Sequence, residues 1–209
     1  ATSGETTSRL AARFDLQVAV NGSHFFPFRS ETPWDYYPRR GEPVDVLGVA
    51  VSDHEPYSQS FSQWPKFCFE EERAYLCGAE GMKSAPHAIS GQRLLVRRGS
   101  RNANMQGPLP QEPLPRTAVG IDASGKKVWL VVVDGRQKNY SEGLSLFELG
   151  DFLQQLGAYY ALNLDGGGST TMVAEMDGRL KVLNAPYHVH IPMRERPVAN
   201  ALGVSIREP

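Results

Sequence analysis

Residues 159–175, YYALNLDGGGSTTMVAE, set three consecutive glycines directly behind an aspartate and between two β-rich runs. Glycine lacks a Cβ and enters left-handed backbone freely, so three in a row end any regular element. The flanking Tyr, Leu, Thr, Met and Val suit a pleated, half-buried surface. The segment therefore reads as strand, glycine loop, strand. It matches neither G-x-x-x-x-G-K-[ST] nor G-x-G-x-x-G, and TTMVAE does not continue as a helix, so a phosphate site on a helix N-terminus is not expected. Two readings of the loop stand. One is a glycine-rich bulge between strands. The other is a nest of backbone N–H groups at Gly166, Gly167 and Gly168 that holds an anion, with the hydroxyls of Ser169 and Thr170 as further donors. On either reading, strand 159–164 carries Asp165 to a sheet edge.

The rest of the chain supplies more strands than helices. Residues 145–157 have a helix signature: Ser145 and Glu148 in capping-box spacing, an apolar face of Leu146, Leu149, Phe152, Leu153 and Leu156, and Gly157 as a stop. A short helix fits 6–14. Strands fit 16–22, 44–53, 170–175, 179–184 and 200–206, residues 87–99 read as a short turn and another strand, and hairpins fit 66–77 and 116–136, the latter turning through DASGKK. Residues 23–43 are too aromatic for a disordered linker and read as a long ordered loop; 100–115, with four prolines, reads as a second loop. No repeat or regular strand–helix alternation is present. The expectation is one α+β domain over residues 1–209, built on mixed sheets with few helices.

Cys68 and Cys77, the only cysteines, flank the acidic turn of the hairpin. Centred near Glu72, that hairpin makes them face each other, so a disulfide is feasible in an oxidising compartment; two separate buried thiols are the alternative. Without a neighbouring histidine pair they form no zinc site. A net charge of −1 with no basic block argues against nucleic acid as the main partner. The run VWLVVV (128–133) is far short of the roughly 18 residues of a membrane span. The opening ATSGETTSRLAARF lacks a start methionine and a signal-peptide pattern, so any signal is expected to have been removed or left out.

LNLDGGGSTTMV resembles the signature of the phosphodiester glycosidase family, and other segments match that family in the same order. VAVNGSHF (18–25) resembles its Asn-Gly strand end, with Ser23-His24 a departure. LGVAVSD (47–53), AISGQRLLVRRG (88–99), RTAVGID (116–122), the helix and strand before the glycines, and RPVANALGV (196–204) follow. The likeness covers roughly residues 7 to 206. It implies hydrolysis of a sugar-1-phosphodiester or related cell-surface or exopolysaccharide glycan, outside the cytoplasm: secreted, periplasmic or on the cell surface. A carbohydrate substrate is implied and no cofactor.

A phosphate leaving group is weakly basic and needs little protonation, so one carboxylate plus phosphate donors can replace the usual carboxyl pair. Asp165 is the candidate base or nucleophile, Arg116 a phosphate clamp and Asn21 a third catalytic candidate. Asn163 and His24 join residues 166–170 as substrate-binding candidates. Each has a structural alternative: a turn cap for Asp165, a surface ion pair for Arg116, strand-end amides for the asparagines. His188 and His190 are a weak metal signal, and no metal is expected. Asp53 and Asp134 read as structural. Asn21 and Asn139 sit in glycosylation sequons. The aromatic stretch at 25–37 offers faces for sugar rings, or a lid. A non-catalytic glycan- or phosphate-binding module and a nucleotide-phosphate binder are the competing functional readings.

Overall fold

Three antiparallel sheets carry most of the fold in this computed structural model, which describes residues 1–58, 63–78, 81–103 and 111–206, with Met82 and Lys83 described by backbone alone. The elements of three residues or more are α1 (Thr7–Arg13), β1 (Val18–Asn21), β2 (Pro43–Val46), β3 (Ala50–Ser52), β4 (Lys66–Phe69), β5 (Ala74–Leu76), α2 (Gly81–Ser84), β6 (His87–Ser90), β7 (Arg93–Arg97), β8 (Arg116–Ile121), β9 (Val128–Val133), α3 (Leu146–Gln155), β10 (Tyr160–Asn163), β11 (Met172–Met176), β12 (Arg179–Val182) and β13 (Ala201–Val204). The fold is α+β with few helices, as expected. The sheets are mixed in size and packing rather than in direction: each ladder between these strands is antiparallel. Much of the expected loop at 100–115 (residues 104–110) lies outside the described residues.

The central sheet has the order Ser100–Arg101, β7, β10, β8, β9. Every residue of β8 is buried, as a strand covered on both faces requires. One face packs α3 through Leu95, Ala118, Leu149, Leu153 and Ala161. The other meets the two remaining sheets through Val20, Phe67, Ile89, Val119 and Leu162. Those sheets run β5-β4-β6-β3-(Glu55–Pro56) and β12-β11-β1-β13. The capping box of α3 forms in both directions: Glu148 N–H donates to Ser145 Oγ (3.2 Å), and Ser145 N–H donates to Glu148 Oε2 (2.8 Å).

Three expectations change in detail. The strand foreseen at 44–53 breaks into β2 and β3 at Gly48, whose φ of +91° and approach to Ser90 demand a turn without a Cβ. Residues 23–43 hold short strand pairs, Phe25–Phe26 against β2 and Arg29–Ser30 against Tyr36–Tyr37. The disulfide Cys68–Cys77 is formed (Cα–Cα 5.8 Å), but diagonally: Cys68 stands opposite Tyr75, and Cys77 N–H donates to Lys66 O. The hairpin is centred between Glu71 and Glu72, one residue earlier than direct pairing of the two cysteines requires.

Candidate active site

Register decides which side chains meet. Ala118 of β8 pairs with Asn163 of β10. Side chains alternate between faces, so Arg116, Ala118, Ala161 and Asn163 share the α3 side of the sheet. The ladder continues one step, with Leu164 N–H donating to Thr117 O (2.9 Å), and the chain then turns at Asp165. Arg116 and Asp165 thus leave the same sheet end side by side.

A buried amide fixes that turn. Asp165 N–H donates to Gly22 O (3.0 Å), and Asn21 Nδ2 donates to Asp165 O (2.6 Å). Asn21 Oδ1 accepts from Thr117 Oγ1 (2.6 Å) and from Thr171 N–H (3.1 Å). Asn21 has no exposed surface, and its amide is occupied within the protein. It is not a substrate contact, and the sequon it heads is closed; the residue clamps three strand ends beneath the aspartate. The Asp165 carboxylate itself is lightly held. Oδ1 accepts from Gly166 N–H (3.0 Å), with His24 Nε2 at 3.6 Å, and Oδ2 bonds to no described residue.

The glycine loop does not form the expected nest. Gly166 N–H serves Asp165, and Gly167 N–H donates to Pro115 O (2.8 Å). The N–H groups of Ser169 and Thr170 donate to the carbonyls of Gly166 and Gly167, closing one 3₁₀ turn over Gly167–Ser169. Three of those donors are occupied inside the loop, and the fourth, on Gly167, by the Pro115 carbonyl. Ser169 and Thr170 are buried and lie off the pocket wall, which corrects their role as substrate donors. The glycines serve geometry instead. Gly167 turns with φ +60°, and a Cβ on Gly168 would stand 2.5 Å from Arg196 Nη2 and 3.0 Å from Tyr187 O. Removing that Cβ lets a guanidinium lie against the loop.

The loop rims a cavity of about 450 Å³. Arg116, Arg136 and Arg196 line it, as do Asp165, His24 and Asn163; Asp165 is the one carboxylate in its wall among the described residues. Arg116 is oriented by two carbonyls, Nε donating to Leu144 O (2.9 Å) and Nη2 to Glu112 O (3.4 Å). Burial, with Arg136 nearby, pulls its guanidinium down to about 10. Arg196, only 6% exposed, donates to His188 Nδ1 (3.2 Å), Ser169 Oγ (3.2 Å) and Ser30 Oγ (3.4 Å), and its Cζ lies 4.4 Å above the Phe28 ring. Burial lowers it too, to about 10, with Asp165 opposing and Arg136 adding to the shift. Both arginines remain cationic near neutrality. None of the three forms an ion pair with a described residue. Three cations converging on one carboxylate leave an excess of positive charge where only an anionic ligand can balance it. Two further atoms in residues of its wall, Asn163 Oδ1 and His24 Nδ1, are buried without a partner among the described residues.

The remaining candidates separate. Asn163, His24, Gly166 and Gly167 join Asp165 and Arg116 in the pocket; Gly168 supports it from behind. His188 and His190 do not face one way. Val189 and His190 have φ of 49° and 63°, so HVH is a turn, with His188 buried behind Arg196 and His190 in the pocket wall. The described residues contain no group of three His, Cys, Asp or Glu placed to hold a metal. Asp134 is structural: it accepts from Asn184 Nδ2 (2.8 Å), Ala185 N–H (3.0 Å) and Tyr140 Oη (2.9 Å). Asp53 is an exposed turn residue near His87. Sequence reasoning missed Arg136 and Arg196. Both lie in segments already singled out, behind Asp134-Gly135 and at the head of RPVANALGV, but nothing local marks an arginine as pocket-facing.

Comparison with known proteins agrees with the order of motifs. The phosphodiester glycosidase family matches residues 14–205. A 58-residue stretch is 47% identical to N-acetylglucosamine-1-phosphodiester α-N-acetylglucosaminidase of Mus musculus, covering 28% of this chain and 11% of that protein. The matched stretch therefore spans about a tenth of the length of that relative. The zebrafish N-acetylglucosamine-1-phosphodiester α-N-acetylglucosaminidase catalytic domain, auto-inhibited by its pro-peptide, superposes with a TM-score of 0.71 at 24% identity, over 98% of this chain and 68% of the other. A protein of Burkholderia pseudomallei provisionally described as exported superposes with a TM-score of 0.63 at 18% identity, over 96% and 68% of the two chains. These likenesses establish the fold.

Proposed function

Since the chain belongs to the phosphodiester glycosidase family, we propose that it hydrolyses a sugar-1-phosphodiester of the N-acetylglucosamine type, breaking the sugar–oxygen bond and releasing a phosphomonoester. The observation that carries this reading is the convergence of Arg116, Arg136 and Arg196 on the single carboxylate of Asp165. The guanidinium groups hold the phosphate and stabilise charge as it gathers on the leaving oxygen. With that charge met by cations, the departing phosphate needs no carboxylic acid to protonate it, which fits a pocket wall with one carboxylate rather than two among the described residues. Asp165 faces the anomeric carbon, as nucleophile or as base for water. Asn163 and His24 line the pocket beside Asp165 and face the sugar, their buried Oδ1 and Nδ1 having no partner among the described residues.

We place the protein outside the cytoplasm. The Cys68–Cys77 disulfide supports an oxidising compartment, and a structural neighbour is provisionally described as exported. No helix among the described residues is long and apolar enough to cross a membrane. A cell-surface or exopolysaccharide phosphodiester is the substrate class that fits this location. Purified protein should release phosphomonoester from a panel of α- and β-linked sugar-1-phosphodiesters. Binding of these compounds without turnover would instead identify a glycan- or phosphate-binding module.

A further inference from the structure

Arg116 and Arg196 are both buried and hydrogen-bonded only to neutral groups among the described residues, but only Arg196 rests on a titratable side chain: its partners are two hydroxyls and an imidazole, where Arg116 has two carbonyls. Most deeply buried arginines are paired with a carboxylate, because an unpaired charge in a low-dielectric site is costly. A carboxylate at the position of His188 would satisfy the same Nε–H and cancel the charge facing the pocket. The histidine satisfies the geometry and leaves the charge.

His188 is held to that task from every side. It is 1% exposed. Its Nδ1 accepts from Arg196 Nε, so the proton of the neutral ring resides on Nε2, which has no hydrogen-bond partner among the described residues. Tyr36 packs edge-on against it at 4.9 Å. Arg194 donates to Tyr36 Oη (3.0 Å) and, with Arg39, lies over the Tyr36 ring. The ionisable groups around the imidazole are thus Arg196, Arg194 and Tyr36, with Arg39 behind; no carboxylate among them favours a protonated ring. Burial, then Arg196 and Arg194, drive its pKa down to about 3.

We propose that His188 is a positioning residue for the phosphate site: a permanently neutral acceptor that aims the Arg196 guanidinium into the pocket while leaving its full charge for the substrate phosphate. This rests on the reading of the pocket as a phosphate site, and the test separates the two. Oδ1 of Asn or Asp hangs from Cγ as Nδ1 does, so H188N and H188D present an acceptor at nearly the same place, one neutral and one charged. Calorimetry with inorganic phosphate on the full chain should show wild-type protein and H188N agreeing within about threefold. H188D should bind at least tenfold more weakly, without a drop in melting temperature. Equal phosphate affinity in H188D and wild type overturns the role of His188 alone. Absence of phosphate binding to wild-type protein overturns the pocket reading, and this inference with it. A second measurement needs no variant: ¹⁵N NMR of the wild-type imidazole should show the neutral Nε2–H tautomer from pH 8 down to 4.5. Protonation within that range, or a proton on Nδ1, contradicts the proposal.

Discussion

Two aspartates of this chain stand in nearly the same local sequence, VVDGR at 132–136 and NLDGG at 163–167, each at a strand end before a glycine. Their surroundings are opposite. Asp134 accepts from an amide, a backbone N–H and a phenol, and so ties the end of the central hairpin to Asn184 and Ala185. Asp165 accepts one N–H from its own loop and leaves Oδ2 without a partner among the described residues in a cationic cavity. A saturated carboxylate holds structure, and an unsaturated one among cations is available for chemistry. What distinguishes them lies in elements far along the chain: 184–185 for one, and 21–24, 116 and 196 for the other.

The contrast can be broken or sharpened by substitution. D165N should show the largest effect, a loss of turnover of about a thousandfold, some 4 kcal/mol of transition-state stabilisation, with unchanged unfolding. Steady-state kinetics alongside denaturant melts would check it; an active D165N would remove the distinction between the two aspartates. R136A should have a smaller effect, raising KM about tenfold, about 1.4 kcal/mol, with kcat changed less. Arg136 is exposed and bonds to no described side chain, so the variant should melt as wild type does. A fall in kcat alone would move Arg136 from binding the ground state to acting only in the transition state. D134N should do the reverse of D165N. Its loss of an acceptor for the half-buried donors of Asn184 and Ala185 should lower unfolding free energy by about 1 kcal/mol, while turnover measured well below the melting point stays within a few-fold of wild type. A stable D134N would show that the saturated carboxylate does not hold the hairpin.

How much of this was readable in advance follows the range of the interactions. The helix at 145–157 was legible because Ser145 and Glu148 cap each other within one turn. The hairpin at 116–136 was legible for the same local reason. Asp165 stands out in the sequence as the carboxylate before the glycines and Arg116 as the arginine that starts a strand after a loop, and register explains why they lie side by side in the cavity wall: both leave the same end of paired strands. The fate of the loop N–H groups was not readable. Whether Gly167 N–H meets a substrate or Pro115 O depends on a strand some fifty residues earlier. Arg196 was hidden likewise. Its neighbours Ser30, Ser169 and His188 come from three separate segments, and the missing Cβ of Gly168 gains meaning only once Arg196 lies against it. For Asn21 the structural alternative, a strand-end amide, describes its place: it is fully buried and bonded to Asp165, Thr117 and Thr171, and only those distant partners make it a clamp.

In the proposed reaction the arginines hold the phosphate as a leaving group while the sugar–oxygen bond breaks beside Asp165. Hydrolysis of an N-acetylglucosamine-1-phosphodiester in H₂¹⁸O, followed by mass analysis of the released phosphomonoester, shows which bond breaks. Cleavage between sugar and oxygen gives a phosphomonoester free of ¹⁸O, because water enters at the sugar carbon. Label in the phosphate would mean attack at phosphorus, and would contradict the proposed reaction.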